Sequence, residues 1–229
     1  VAIPERIRKR IVSMDRALLE RYGPQGWWPV TPAGGGVPVY RVGEEGAAVD
    51  DRDAFEIVVG AVLTQNTAWR NVEKALANLA RDIGLAPGAV AHAGPNLEAA
   101  IRPSGYFNQK ADRLRTISRH ILDCGGIRAL RGYPTEDLRR RLISWKGIGP
   151  ETADSILCYA FTRPVFVVDA YTRRLFQRLG LPHTAYTEMQ ALVHQAIAPD
   201  TARYNDLHAR IVKLYVSKEH EAFVETFSL

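Results

Sequence analysis

Residues Leu142–Glu151 read LISWKGIGPE, and further on residues Phe166–Arg174 read FVVDAYTRR. An apolar helix end runs into the turn Gly147-Ile148-Gly149, and Pro150 sits where a second helix would begin. Two glycines let backbone approach a ligand closely, and a new helix start presents unpaired N–H groups and the positive end of a dipole. That combination grips a phosphate without reading sequence. Asp169 follows the apolar run and is placed to act on whatever the hairpin holds. It also reads as a helix N-cap, because Tyr171, Leu175 and Leu179 follow at helical spacing.

Composition sets the frame around this stretch. The 229 residues are 46% apolar, enough for one large domain or two small ones, and the mean hydropathy of −0.17 suits a soluble chain. Lys and Arg exceed Asp and Glu by 30 − 25 = +5, with a pI near 9.3, which is compatible with a polyanionic partner. Cys124 and Cys158 lie in predicted helices and read as reduced, buried thiols rather than a disulfide framework. Two thiols fall short of the four that an iron–sulfur cluster ordinarily needs. No apolar run approaches a membrane span, and the start VAIPERIRKR is too charged for a signal peptide. The expected location is cytoplasmic.

Helical spacing recurs along the chain and strand signals are few. Residues 5–22 read as a basic amphipathic helix with Ile7, Ile11, Met14, Leu18 and Leu19 on one face. Gly23 to Gly46 is rich in Gly and Pro, contains Trp27-Trp28-Pro29, and reads as a long loop. Helices are predicted at about 53–65, 71–83, 96–102, 108–123 and 135–145, then from Pro150. Three more follow: one from Asp169 to Leu179, stopped by Gly180 and Pro182, and two at about 187–198 and 201–217. The expected fold class is all-α.

Several motifs, in order, resemble the endonuclease III superfamily of helix-hairpin-helix Gly/Pro-Asp DNA glycosylases. They are the hairpin, Asp169, VGAVLTQNTAWRNVEKAL at 59–76 and SGYFNQKADRL at 104–114. The resemblance implies two lobes, a six-helix barrel at 54–162 and a second lobe from 1–53 plus 163–229, with the active site in the cleft between them. It further implies that the enzyme rotates a damaged nucleotide out of duplex DNA. Gln65 would fill the gap and Tyr106 would wedge the stack. Asn108, Lys146, Gly147, Ile148, Gly149 and Thr152 complete the DNA-facing set, and Asp169 would stabilise the oxocarbenium-like sugar or orient the attacking water. Members often bind a monovalent cation through hairpin carbonyls; no metal ligands from side chains are expected.

Two departures narrow the class. Bifunctional members carry a lysine on the second hairpin helix that forms a Schiff base; this chain has Glu151 there, so a monofunctional glycosylase is expected. The four-cysteine C-terminal cluster is absent, and no cofactor is expected. With Trp27-Trp28-Pro29 ahead of the barrel, the pattern resembles the bacterial endonuclease III-like 3-methyladenine DNA glycosylases. There the Trp-Trp-Pro segment lines the base pocket and a C-terminal lysine shapes it. Indole faces suit a positively charged alkylated purine. Phe55 is a further candidate wall, and Lys213 and Lys218 are both candidates for the lysine. Trp27 and Trp28 have an alternative reading as a plug over the barrel, and Phe55 reads equally as core. The expected partner is duplex DNA bearing a damaged base, met by a monomer. The rivals are a glycosylase for oxidised pyrimidines or mismatched thymine or uracil, and a non-catalytic helix-hairpin-helix binding protein.

Overall fold

A computed structural model describes residues 2–182 and 185–228. Among them the regular structure is helical, apart from an isolated antiparallel bridge between Val30 and Val39. The chain forms two compact units: residues 1–27, 41–47 and 164–229 in one, residues 28–40 and 48–163 in the other. No helix is long and apolar enough to cross a membrane among the described residues.

The helices in chain order are α1 (Glu5–Tyr22), α2 (Asp51–Leu63), α3 (Trp69–Asp82), α4 (Pro87–His92), α5 (Asn96–Ile101), α6 (Phe107–Asp123), α7 (Ile127–Arg131) and α8 (Thr135–Ser144). After the hairpin come α9 (Pro150–Ser155), α10 (Ala170–Arg178), α11 (Tyr186–Ala196), α12 (Thr201–Val216) and α13 (His220–Ser228). A 3-10 turn, Arg102–Ser104, follows α5, and a π-turn, Ile156–Ala160, continues α9. The predicted set lacked α4, α7 and α13. The first two are five or six residues long, too short for a 3.6-residue period to register.

In the larger unit α2 is the central rod. Asp50 caps it by accepting from the Asp53 N–H at 2.8 Å, and every residue from Asp53 to Leu63 is buried. A helix apolar on most sides belongs in a core, and α3, α6, α7, α9 and the π-turn pack around it. Phe55 is fully enclosed there, so of its two readings it takes the core one, with no face to offer a base.

Residues 28–40 group with this unit rather than with residues 1–27. Two contacts explain the grouping. The buried Glu56 carboxylate accepts from the Thr31 N–H (2.9 Å) and hydroxyl (2.6 Å), and the Trp28 ring lies on α2 at Gly60. A Cβ at Gly60 would stand 2.9 Å from Trp28 Cζ2, so only glycine admits the indole. Burial raises the Glu56 pKa, and the Thr31 donors and Arg52 oppose that shift.

The smaller unit is built on α1, α10, α11, α12 and α13. Ile11, Met14 and Leu18 from α1 pack with Leu175, Phe176, Leu207, Ile211 and Leu214. Within it Arg210, 2% exposed, sits between Asp15 (3.3 Å) and Asp206 (3.1 Å), which supply the counter-charge a buried guanidinium requires.

Candidate functional site

The hairpin follows the local logic of its residues. Trp145 ends α8 with its carbonyl accepting from the Ile148 N–H at 3.0 Å. Gly147 turns at φ +94°, and Gly149 is the N-cap residue of α9, with Pro150 in the first turn and no side-chain cap. A helix start of this kind directs its first amides outward, the arrangement that suits an anion. Ile148 is buried and pins the turn from beneath, while Lys146 and Gly149 are exposed. Glu151, also exposed, occupies the first turn of α9.

Gln65 joins this hairpin from the turn after α2. Its Nε2 donates to the Gly147 carbonyl at 2.9 Å and to Thr152 Oγ1 at 3.1 Å. Its Oε1 accepts from Arg113 at 2.8 Å. The structure thus brings together Gln65, Gly147 and Thr152, and adds Arg113, which the sequence reading did not single out. A Cβ at Gly147 would lie 2.7 Å from Arg113 Cδ, so that glycine is fixed by both its conformation and its neighbour. The Gly147 and Trp145 carbonyls each accept one hydrogen bond, from Gln65 and from the Ile148 N–H. Tyr106 stands apart from the core, 69% exposed, in left-handed backbone at φ +46° at the start of α6, and Asn108 is exposed two residues on.

Trp28 is half-buried. It meets Trp69 edge-on at 5.4 Å and tilts against Tyr159 at 5.3 Å, while Pro29 is buried beside it. Trp69 and Tyr159 are missing from the sequence reading, because neither position departs from an ordinary helical pattern. Trp27, also half-buried, falls in the other unit.

Asp169 lies in the smaller unit, at the end of the extended segment Pro164–Val168. Phe166 is pinned there by α11: its N–H donates to His194 Nε2 at 3.0 Å and its carbonyl accepts from Gln190 at 2.7 Å. Asp169 caps α10, with Oδ1 accepting from the Thr172 N–H (2.7 Å) and hydroxyl (2.8 Å). Its Oδ2 lies 3.7 Å from His208 Nε2 on α12, and 14% of the side chain is exposed. Burial pushes its pKa up, but the neighbouring His208 imidazole and the Thr172 donors outweigh burial and hold it below the usual aspartate value. The result is a fixed carboxylate that stays ionised while largely shielded from water. The N-cap and catalytic readings are compatible, because capping uses one oxygen.

Thr172 was missed, although its place three residues beyond an N-cap is a local signal that could have found it. His208 offered no such signal, since it sits on the buried stripe of α12 beside Leu207 and Ile211. Tyr171 and Tyr215 stack at 4.9 Å, and Tyr215 stacks on His220 at 4.5 Å. Lys213 and Lys218 are both exposed, the second in left-handed backbone at φ +61° after α12.

Comparisons with known proteins bear on the family and the fold. The model of the HhH-GPD superfamily base excision DNA repair protein matches residues 59–199. A Methanocaldococcus jannaschii protein, provisionally named a DNA repair glycosylase, is 36% identical over 209 residues, 89% of this chain and 86% of the relative. Endonuclease III of Thermotoga maritima is 32% identical over 139 residues, 60% of this chain and 62% of the relative. Among solved structures, the Helicobacter pylori 3-methyladenine DNA glycosylase bound to 1,N6-ethenoadenine is 29% identical with a TM-score of 0.72, covering 93% of this chain and 98% of that one. This chain belongs to the HhH-GPD superfamily of base excision DNA repair glycosylases.

Proposed function

We propose that the protein is a monofunctional DNA glycosylase that removes alkylated purines of the 3-methyladenine type from duplex DNA. The observation that carries the reading is Asp169: a shielded, ionised carboxylate fixed by Thr172, with its second oxygen beside His208. An N-glycosidic bond breaks with positive charge developing on the sugar, and a preorganised carboxylate in a poorly solvated site stabilises that charge far more than one in water. N3-alkylated adenine is already cationic and leaves without an acid, so one carboxylate suffices. Trp27 and Trp28 are the proposed aromatic walls, and Tyr171, two residues after the carboxylate, stacks on Tyr215.

The hairpin is proposed to hold a backbone phosphate through the α9 amides, with Lys146 and Asn108 on the same DNA-facing surface. For Gln65 to enter the gap left by the flipped base, its amide must first leave Gly147 and Thr152. Glu151 occupies the position of a lyase amine, and a carboxylate cannot form a Schiff base, so the product is an intact abasic site. The iron–sulfur cluster is excluded from this reading on donor chemistry, since the chain's two cysteines are too few for it. A hairpin cation is given no part in the chemistry.

Substrate preference rests on the similarity to the Helicobacter pylori enzyme, which extends over nearly all of that chain. Incubation with methylated duplex DNA and identification of the released bases tests it. Release of 3-methyladenine ahead of oxidised pyrimidines, thymine or uracil is the expected result; release of one of those instead, from a matched set of lesion duplexes, refutes it.

A further inference from the structure

Lys110 stands on the first turn of α6 and is 2% exposed. Its ammonium donates to the Leu63 carbonyl (2.8 Å), to Thr67 Oγ1 (2.7 Å) and to the Ser104 carbonyl (2.8 Å). The Thr67 hydroxyl donates onward to the same Ser104 carbonyl at 2.5 Å. Three N–H donors thus meet three acceptors, and none of those acceptors is a carboxylate. A buried ammonium without a paired counter-charge costs more than an apolar side chain of similar size would, so fold stability alone does not explain it.

The acceptors come from two connecting segments. Leu63 and Thr67 bracket Gln65; Ser104 lies two residues before Tyr106. Each segment also contains a non-glycine residue in left-handed backbone, Asn66 at φ +54° and Tyr106 itself at φ +46°. Such conformations persist where the surrounding contacts over-determine them. Lys110 and Thr67 supply those contacts, and they tie one strained turn to the other.

We propose that Lys110 is a positioning residue that locks the Gln65 turn and the Tyr106 turn together in the geometry that enters an opened duplex. The inference rests on the reading of Gln65 and Tyr106 as the residues that enter DNA. Lys110 touches neither base nor sugar; it acts through the two turns. Its loss therefore impairs substrate opening and leaves bond cleavage intact.

The test compares wild type with Lys110→Met on two substrates carrying the same alkylated base, a duplex and a single-stranded oligonucleotide, which has no base pair to open. Excision from the duplex should fall by about tenfold or more, the effect of unmaking buried hydrogen bonds to a charged group, with single-strand excision little changed. Amide hydrogen exchange should quicken in residues 64–67 and 104–107 while α12 stays protected. An equal loss on both substrates, or unchanged exchange in both segments, overturns the proposal. Exchange reads Lys110 independently of chemistry: faster exchange in a protein that releases no alkylated base supports the lock and refutes the substrate reading.

Should the variant not fold, the wild-type pH profile decides. Burial, then the nearby Arg113 charge, lowers the Lys110 pKa from 10.5 to about 8. The neutral amine keeps two N–H donors for three acceptors. The ratio of duplex to single-strand excision should therefore decline through a midpoint near that value. Because the folded-state pKa is depressed, the unfolded chain holds the extra proton between about 8 and 10.5, and this group's contribution to stability rises across that window. A decline in the ratio there is thus not unfolding by this group, and a flat ratio overturns the proposal.

Discussion

Asp169 caps α10, and the proposed function gives it a second, catalytic duty that a single substitution separates from the first. Asn caps a helix about as well as Asp, so Asp169→Asn should retain Thr172 and shift the melting temperature little. Base excision should fall by about 10²–10³-fold, the range for removal of one preorganised electrostatic group, with duplex affinity nearly unchanged. A folded variant with near-normal turnover would leave Asp169 as a cap alone. The lowered pKa fixes the sign of the acid response. Stability from this carboxylate is fully present above its unfolded-state value and disappears as pH falls through the still lower folded-state value. A pH–rate profile should therefore show no loss assignable to Asp169 between neutrality and the ordinary aspartate range. A limb falling near pH 6 that vanishes in the Asn variant would contradict the assignment.

The hairpin is the element whose parts were most nearly written in the sequence, and its geometry gives a sharper test than its motif. Gly147→Ala forces a Cβ into φ +94° and against Arg113 Cδ at 2.7 Å. Arg113 must swing away, releasing Gln65 Oε1. A cost of about 1–3 kcal/mol is expected from the backbone strain, with several-fold weaker duplex binding. Thermal melting and a binding isotherm on one variant check both, and an unaffected affinity would remove the hairpin from the DNA contact surface. On the same element, Glu151 predicts that borohydride traps no covalent adduct on abasic DNA. Efficient trapping would expose another amine as nucleophile.

For the molecule as a whole, the Trp-Trp-Pro segment is where the observed packing meets the proposed recognition of the base. Trp28 rests on Gly60, Trp69 and Tyr159, so Trp28→Ala should lower stability, by about 3–5 kcal/mol if the cavity does not collapse. Trp27→Ala, if that indole walls the base, should cost about 1–3 kcal/mol in excision of 3-methyladenine with little change in duplex affinity. Melting temperature, affinity and excision rate measured on both variants tell plug from wall. A variant that loses stability and all activities together marks its indole as a plug rather than a wall. Purified protein should be colourless and free of stoichiometric iron by elemental analysis and absorbance.

Periodicity was enough to read α1, α2, α3, α6, α8, α10, α11 and α12, because each carries an apolar stripe at 3.6-residue spacing that has to be buried. The glycine and proline placement likewise marked the hairpin, and Asp169 was visible from its position after FVV. What lay beyond reach were features set by neighbours distant in the chain. Short helices such as α4 and α7 form because α6 and α2 offer them a surface. The π-turn at Ile156–Ala160 shifts the register of α9 by packing against α2, with no local residue to announce it. His208 beside Asp169, Arg113 on Gln65 and Lys110 between two strained turns are pairings across 39, 48 and up to 47 residues. Local spacing encodes which face of a helix is apolar, whereas a hydrogen bond of that span exists only once the helices have packed.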